Sequence, residues 1–286
     1  AEEDICNTSL RMEANEWFEG AEGIQYWDLK LHNTCNLTCV MCNPTSSSKW
    51  QNLVNQNPNE EWLNVVKNEA KLKTGWHKDI LPQMMENLYD TKFLKFTGGE
   101  PFMIPHVRKI IKKLYEDEVS PAVRLSIITN GTIPIDDEML KMLLSFKQVV
   151  FLVSIDGIED RFEYIRAGAK WKEVSANLKH FQKIAMHNDN FSLTINYLPM
   201  SINAAQDKLA EQWAKSEGIL FSKSVEIYRP SYLTYRSLNN SLRERYEIET
   251  KYEYNENVYN ELLKHMAIKD KLMGTNFKLA CPEFFE

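Results

Sequence analysis

The sequence predicts an α/β fold: a partial (β/α)6 TIM-like barrel with parallel strands and a C-terminal helical extension. Short apolar segments alternate with longer amphipathic ones along most of the chain, which implies a parallel sheet joined by right-handed helical crossovers. Several strands also alternate polar and apolar residues, so one face suits a helical layer and the other a polar lumen. With 286 residues, 43% of them hydrophobic, the chain can bury a sizeable core.

The strands are expected at residues 24–32, 92–97, 123–129, 149–155, 191–198 and 224–228. In the first, Tyr26, Asp28, Lys30 and His32 oppose Trp27, Leu29 and Leu31; in the fifth, Ser192, Thr194 and Asn196 oppose Phe191, Leu193, Ile195 and Tyr197. The polar parity predicts a lumen lined by Asp28, Lys30, Thr97, Ser154, Asp156 and Asn196. A helix over 105–118 opens with Pro105 and carries Val107, Ile110, Ile111, Leu114 and Tyr115 as one stripe. Asp136 caps a second over 136–146, and further stripes predict helices over 171–185 and 204–216. Six strand–helix units suit a partial barrel better than a full eightfold one. After Pro230 the strand pattern ends, and a helical stretch is expected across 241–265. The chain therefore divides into an N-terminal extension (1–23), a barrel (24–230) and a helical extension (231–286) packed on the barrel.

Composition narrows the function. Thirty-four basic against 40 acidic residues leave a net charge of −6, which gives no electrostatic case for nucleic acid or an anionic membrane. The longest apolar run, residues 149–153, is far short of the ~20 residues of a membrane span. No secretory signal opens the chain, and its start at Ala1 rather than Met points to a fragment of a longer protein.

Of five cysteines, Cys35, Cys39 and Cys42 lie together as C-x3-C-x2-C directly after the first strand. An odd set on one tight loop is no disulfide framework, whereas clustered thiolates select zinc, copper(I) or iron–sulfur. Structural zinc usually takes four ligands, and no second C-x2-C or paired histidine accompanies these three. Three ligands on a four-iron cluster would leave one iron open, as a reaction requires. Cys6 and Cys281 are expected to be free thiols.

Later segments extend the pattern. Phe96-Thr97-Gly98-Gly99-Glu100-Pro101 follows the second strand, Ile128-Thr129-Asn130-Gly131 the third, and Ser154-Ile155-Asp156-Gly157 the fourth, with Arg166 downstream. In order and placement these resemble the radical S-adenosylmethionine (radical SAM) superfamily over residues 24–230. The resemblance implies a [4Fe–4S] cluster on Cys35, Cys39 and Cys42, and S-adenosylmethionine chelated by its open iron. It further implies that Gly98, Gly99 and Glu100 hold the α-amino group of that ligand and that Arg166, assisted by Ser154, binds its carboxylate. Asn130, Asp156 and Asn196 would face ribose hydroxyls, and the Met41 backbone would meet the adenine.

The implied activity is one-electron cleavage of S-adenosylmethionine to a 5′-deoxyadenosyl radical that abstracts hydrogen from a substrate. A flavodoxin or ferredoxin donor and a reducing, cytoplasmic setting are expected with it. The loop continuing through Asn43, Pro44, Thr45, Ser46, Ser47, Ser48, Lys49 and Trp50 resembles the twitch or partial-SPASM subgroup, which suggests a peptide or protein substrate. A complete auxiliary-cluster motif is missing, since only Cys6 and Cys281 remain. The alternative is a non-catalytic iron–sulfur or zinc-binding module that kept the fold. The Gly-Gly-Glu-Pro segment favours the enzyme, because a metal binder has no use for an amino-acid clamp.

Overall fold

The computed structural model describes residues 23–60 and 77–286. Six strands form one sheet in chain order: β1 (Tyr26–Leu29), β2 (Phe93–Phe96), β3 (Arg124–Thr129), β4 (Gln148–Ser154), β5 (Phe191–Tyr197) and β6 (Leu220–Lys223). Every neighbouring pair is parallel. The crossovers hold α1 (Ser48–Gln56) and α2 (His77–Glu86), then α3 (Pro105–Glu116), α4 (Asp137–Leu143), α5 (Glu159–Ile165), α6 (Trp171–His187) and α7 (Asp207–Ser216). The partial barrel expected from the alternation is present.

Burial follows strand parity. Phe191, Leu193, Ile195 and Tyr197 of β5 are buried, while Ser192, Thr194 and Asn196 are half-buried on the opposite face. In β4, Val149, Phe151 and Val153 are buried and Val150, Leu152 and Ser154 half-buried. The parallel register aligns residues of this face in rows: Asp28, Lys95, Ser126, Val150 and Ser192 lie abreast, and nearer the carboxyl ends Ser154, Asn196 and Ser222 do so. Asp28 and Lys95 pair at 2.8 Å within their row. Asp156 lies past the end of β4 and is wholly buried.

The helices cover the apolar face. Val107, Ile110, Ile111 and Leu114 of α3 are buried after Pro105 at its first turn, and α6 buries Val174, Leu178, Phe181 and Ile184. Asp136 caps α4 by accepting from the Met139 N–H. β6 lies before the expected 224–228 segment. Leu220, Ser222 and Lys223 are exposed on an edge strand, so it lacks the apolar signature of a central one.

Past Pro230 the chain forms α8 (Asn240–Arg245), α9 (Glu256–Met273) and α10 (Phe277–Ala280). They build a second core in which Leu233, Leu262, Met266, Phe277 and Phe284 meet Val40, Tyr164, Ile165 and Ile202 of the barrel. Those barrel residues lie beyond the carboxyl ends of β1, β4 and β5, Tyr164 and Ile165 at the end of α5, so the extension packs on the rim where the cysteine loop sits. Among the described residues no helix is long and apolar enough to cross a membrane. Residues 1–22, and with them Cys6 and most of the expected N-terminal extension, lie outside the described residues.

Candidate functional site

The cysteine loop leaves β1 and runs beside the segment after α5. The Thr38 N–H donates to the Ala167 carbonyl and the Val40 N–H to the Ile165 carbonyl, each at 2.9 Å. The Cys42 N–H returns to the Cys39 carbonyl at 3.0 Å and closes a turn. The start of α1 fastens the loop from the other side. Ser47 caps that helix and donates to the Leu37 carbonyl at 2.5 Å. The Ser48 hydroxyl accepts from the Cys35 N–H at 3.1 Å and donates to the Cys35 carbonyl at 3.2 Å. Buried Trp50 donates its indole Nε1–H to the Cys39 carbonyl at 2.9 Å. The serine-rich stretch after the cysteines is therefore a brace for the loop.

Cys35 and Cys39 are buried and Cys42 partly so. Burial pushes the Cys35 thiol up. The hydrogen bond between Cys39 and Cys42, together with burial, raises Cys39, and the same bond lowers Cys42 against its burial. Polar groups approach the sulfurs: Asn130 Nδ2 lies 3.8 Å from Cys35 Sγ, and Arg166 Nη1 lies 3.9 Å from Cys39 Sγ. Three soft donors shielded from water, with an amide and a cation directed at them, fit an iron–sulfur cluster bound through thiolates. Among the described residues, no set of three or more His, Cys, Asp or Glu closes on a single metal-ion position.

The glycine turn after β2 packs against this loop backbone to backbone. A Cβ on Gly99 would stand 2.3 Å from the Thr34 carbonyl oxygen, and the Glu100 N–H donates to that same oxygen at 2.7 Å. Gly98 and Gly99 both have positive φ, 76° and 30°. The Glu100 side chain is wholly buried and accepts from the Phe102 N–H (3.2 Å), the Thr129 hydroxyl (2.8 Å) and the Asn130 N–H (2.7 Å). Burial raises its pKa against those bonds. A carboxylate offers about four acceptor positions, so three donors leave room for one more.

Asn130 ties the turn after β3 to the cysteine loop by donating to the Asn36 side-chain oxygen at 3.0 Å. Its own oxygen accepts from the Thr132 N–H and hydroxyl. Arg166 is buried and forms an ion pair with Asp156 at 2.6 Å. Burial works against the guanidinium charge, and Asp156, Cys39 and Cys42 outweigh it, so its pKa is raised. Asp156 accepts in addition from the Leu198 N–H at 3.0 Å. Ser154 and Asn196 lie abreast and half-buried, and Asn196 Oδ1 accepts from Ser224 at 2.9 Å. Met41 packs against both cores. The structure thus gathers Cys35, Cys39, Cys42, Gly99, Glu100, Asn130, Asp156 and Arg166 through direct contacts. Ser154 and Asn196 stand in the next row of the lumen.

Sequence reasoning missed two of the loop's neighbours. One is Trp50. The other is Lys269 of α9, which is wholly buried, donates to the Val40 carbonyl, and lies over the Trp50 and Tyr232 rings at 5.3 and 5.9 Å. Leu262, Met266 and Lys269 follow i, i+4, i+7 spacing, so the lysine continues the buried stripe of its helix, a signal present in the sequence. A cavity of about 790 Å³ opens beside the loop at Thr38, Lys49, Gly168 and Met273, and no cysteine lines it.

Comparison with known proteins gives the family. The sequence pattern of the Radical SAM superfamily matches residues 29–204. The chain is 26% identical over 191 residues to a GTP 3′,8-cyclase of Microcystis aeruginosa, covering 64% of this chain and 50% of that protein. It is 26% identical over 181 residues to the GTP 3′,8-cyclase of Clostridium botulinum strain Hall, covering 63% and 47%. The chain spans about half the length of these curated relatives. Among solved structures it is similar to native anSMEcpe with bound AdoMet, at a TM-score of 0.50 and 19% identity, over 88% of this chain and 62% of that one. With the family pattern covering more than half of its residues, the chain belongs to the radical SAM superfamily, whose cofactors are a [4Fe–4S] cluster and S-adenosylmethionine.

Proposed function

We propose that this chain is a radical SAM enzyme in which Cys35, Cys39 and Cys42 bind three irons of the cluster and the neighbouring strand ends bind S-adenosylmethionine. The observation that carries the reading is the junction of the cysteine loop with the glycine turn, where the Thr34 carbonyl meets the space that a Gly99 side chain would fill. When bound and reduced by one electron, the two cofactors supply a 5′-deoxyadenosyl radical.

The remaining work falls to the chain's own groups. Gly98, Gly99 and Glu100 present backbone and a carboxylate to the ligand's α-amino group, with Glu100 held in place by its three donors. Arg166, oriented by Asp156, offers its fork to the carboxylate, and Ser154, Asn130, Asp156 and Asn196 complete the polar rim around the ribose. Met41 offers its backbone to the adenine. Burial of Cys35 and Cys39 keeps water from the sulfurs. The substrate presents a C–H bond to the half-buried row of the lumen, and the subgroup resemblance favours a peptide or protein. The electron comes from a flavodoxin or ferredoxin.

Anaerobic reconstitution tests this. The wild-type chain should take up about four irons and give a paramagnetic spectrum that changes when S-adenosylmethionine is added. Alanine at Cys35, Cys39 or Cys42 should abolish cluster and cleavage together. A cluster whose spectrum ignores S-adenosylmethionine would instead establish a non-catalytic iron–sulfur module.

A further inference from the structure

α9 places a charged side chain where its helix stripe calls for an apolar one. Lys269 is 1% exposed and enclosed by the Trp50 and Tyr232 rings. Its ammonium donates to the Val40 carbonyl, the backbone group between Cys39 and Cys42. A buried cation is costly unless negative charge compensates it. Burial lowers the lysine to about 7, and the negative charge of Cys42 and Cys39 acts to raise it. Trp50 joins both arrangements, stacking under Lys269 while donating to the Cys39 carbonyl.

We propose that Lys269 is a positioning residue for the iron–sulfur centre: it holds the turn between Cys39 and Cys42 and sets the cluster's reduction potential through its buried positive charge. The inference rests on the cluster assignment above and gives the C-terminal extension a part in the chemistry of the barrel. A thiolate-bound cluster gains one negative charge on reduction. A fixed cation in a low-dielectric pocket favours that state, so removing it should make the cluster harder to reduce.

The test is a paramagnetic-resonance redox titration of the reconstituted full chain as wild type, Lys269→Met and Lys269→Arg, with iron content and the melting temperature of each cluster-free protein recorded alongside. Methionine fills a similar volume without charge, so Lys269→Met should fold and bind about four irons. Its one-electron equilibrium should shift at least tenfold toward the oxidised state, about 59 mV. Lys269→Arg keeps the charge and should shift by less than that. The proposal is overturned if the methionine variant keeps the wild-type potential, if the arginine variant falls as far, or if the methionine variant folds but takes up no cluster. Should Lys269→Met not fold, Lys269→Gln is judged by the same outcomes. A wild-type chain that binds no cluster overturns the functional reading itself, and this role with it.

Discussion

The indole of Trp50 donates to the carbonyl of Cys39 across 2.9 Å, joining the first turn of α1 to the middle of the cysteine motif. The Cys39 carbonyl also accepts from the Cys42 N–H, so losing the indole bond leaves it with one partner. Trp50→Phe should therefore cost about 1 kcal/mol of hydrogen bonding, plus a packing loss of at least similar size from the cavity left in a buried site. Urea unfolding of the cluster-free protein measures this. Iron retention under a chelator should fall with it, because the loop is less firmly held.

The two glycines of the turn after β2 should respond differently to alanine. A Cβ on Gly98 meets the Lys30 side chain at 2.2 Å, where a change of rotamer from Cγ outward can make room. To that rearrangement is added the left-handed backbone, about 1–2 kcal/mol. A Cβ on Gly99 meets the Thr34 carbonyl at 2.3 Å and more backbone at 3.0 Å, where nothing can swing. Gly99→Ala should cost at least about 3 kcal/mol, combining overpacking with strain. It should also weaken S-adenosylmethionine binding at least tenfold by calorimetry, and Gly98→Ala should be the milder change in both assays.

At the chain's end, Glu283 accepts two hydrogen bonds from Arg161 at 2.8 and 3.0 Å, and both side chains are buried. This pair fastens the C-terminal segment to α5. Glu283→Ala leaves a buried guanidinium with the Ile202 carbonyl as its remaining acceptor. The expected loss is about 3 kcal/mol, toward the lower end for a broken buried pair. Denaturant titration should show it as a lower midpoint.

The sheet was legible because period two survives in β5 and an apolar run marks β4. Phe191, Leu193 and Ile195 turn to the helices whatever the loops do, while β6 at the edge packs too little to mark itself. The cysteine, glycine and asparagine turns were legible as motifs because each follows a strand, and parallel topology brings those ends together. Partnerships were less visible. Arg166 could have been read as a surface partner of Glu163, but Glu163 pairs with Lys170 at 2.7 Å, and Arg166 turns inward to Asp156. Trp50 and Lys269 reach the loop from 11 and 229 residues away from their hydrogen-bond partners, separations at which local patterns carry no information. Cys281, expected as a free thiol, is a buried one beside Arg161 and the Ile202 carbonyl, and Cys6 lies outside the described residues.

His265 gives the cluster-free protein a pH dependence whose sign is fixed. Burial, followed by Lys269 and Lys264, lowers its pKa from 6.5 to about 4, while the Tyr232 ring packs edge-on at 4.1 Å. Between these two values the unfolded chain binds a proton that the folded chain refuses, so stability falls as the pH drops through that window and is fully present above 6.5. Allowing for solvent screening of a partly buried group, the contribution is on the order of 2 kcal/mol. Carboxylates elsewhere also titrate in this range, so the measurement is the difference between wild type and His265→Gln. Urea midpoints of the two should separate by a constant amount above pH 7 and converge, or cross, as the pH approaches 4.5. A separation independent of pH would mean that His265 is protonated in the folded state as readily as in the unfolded one.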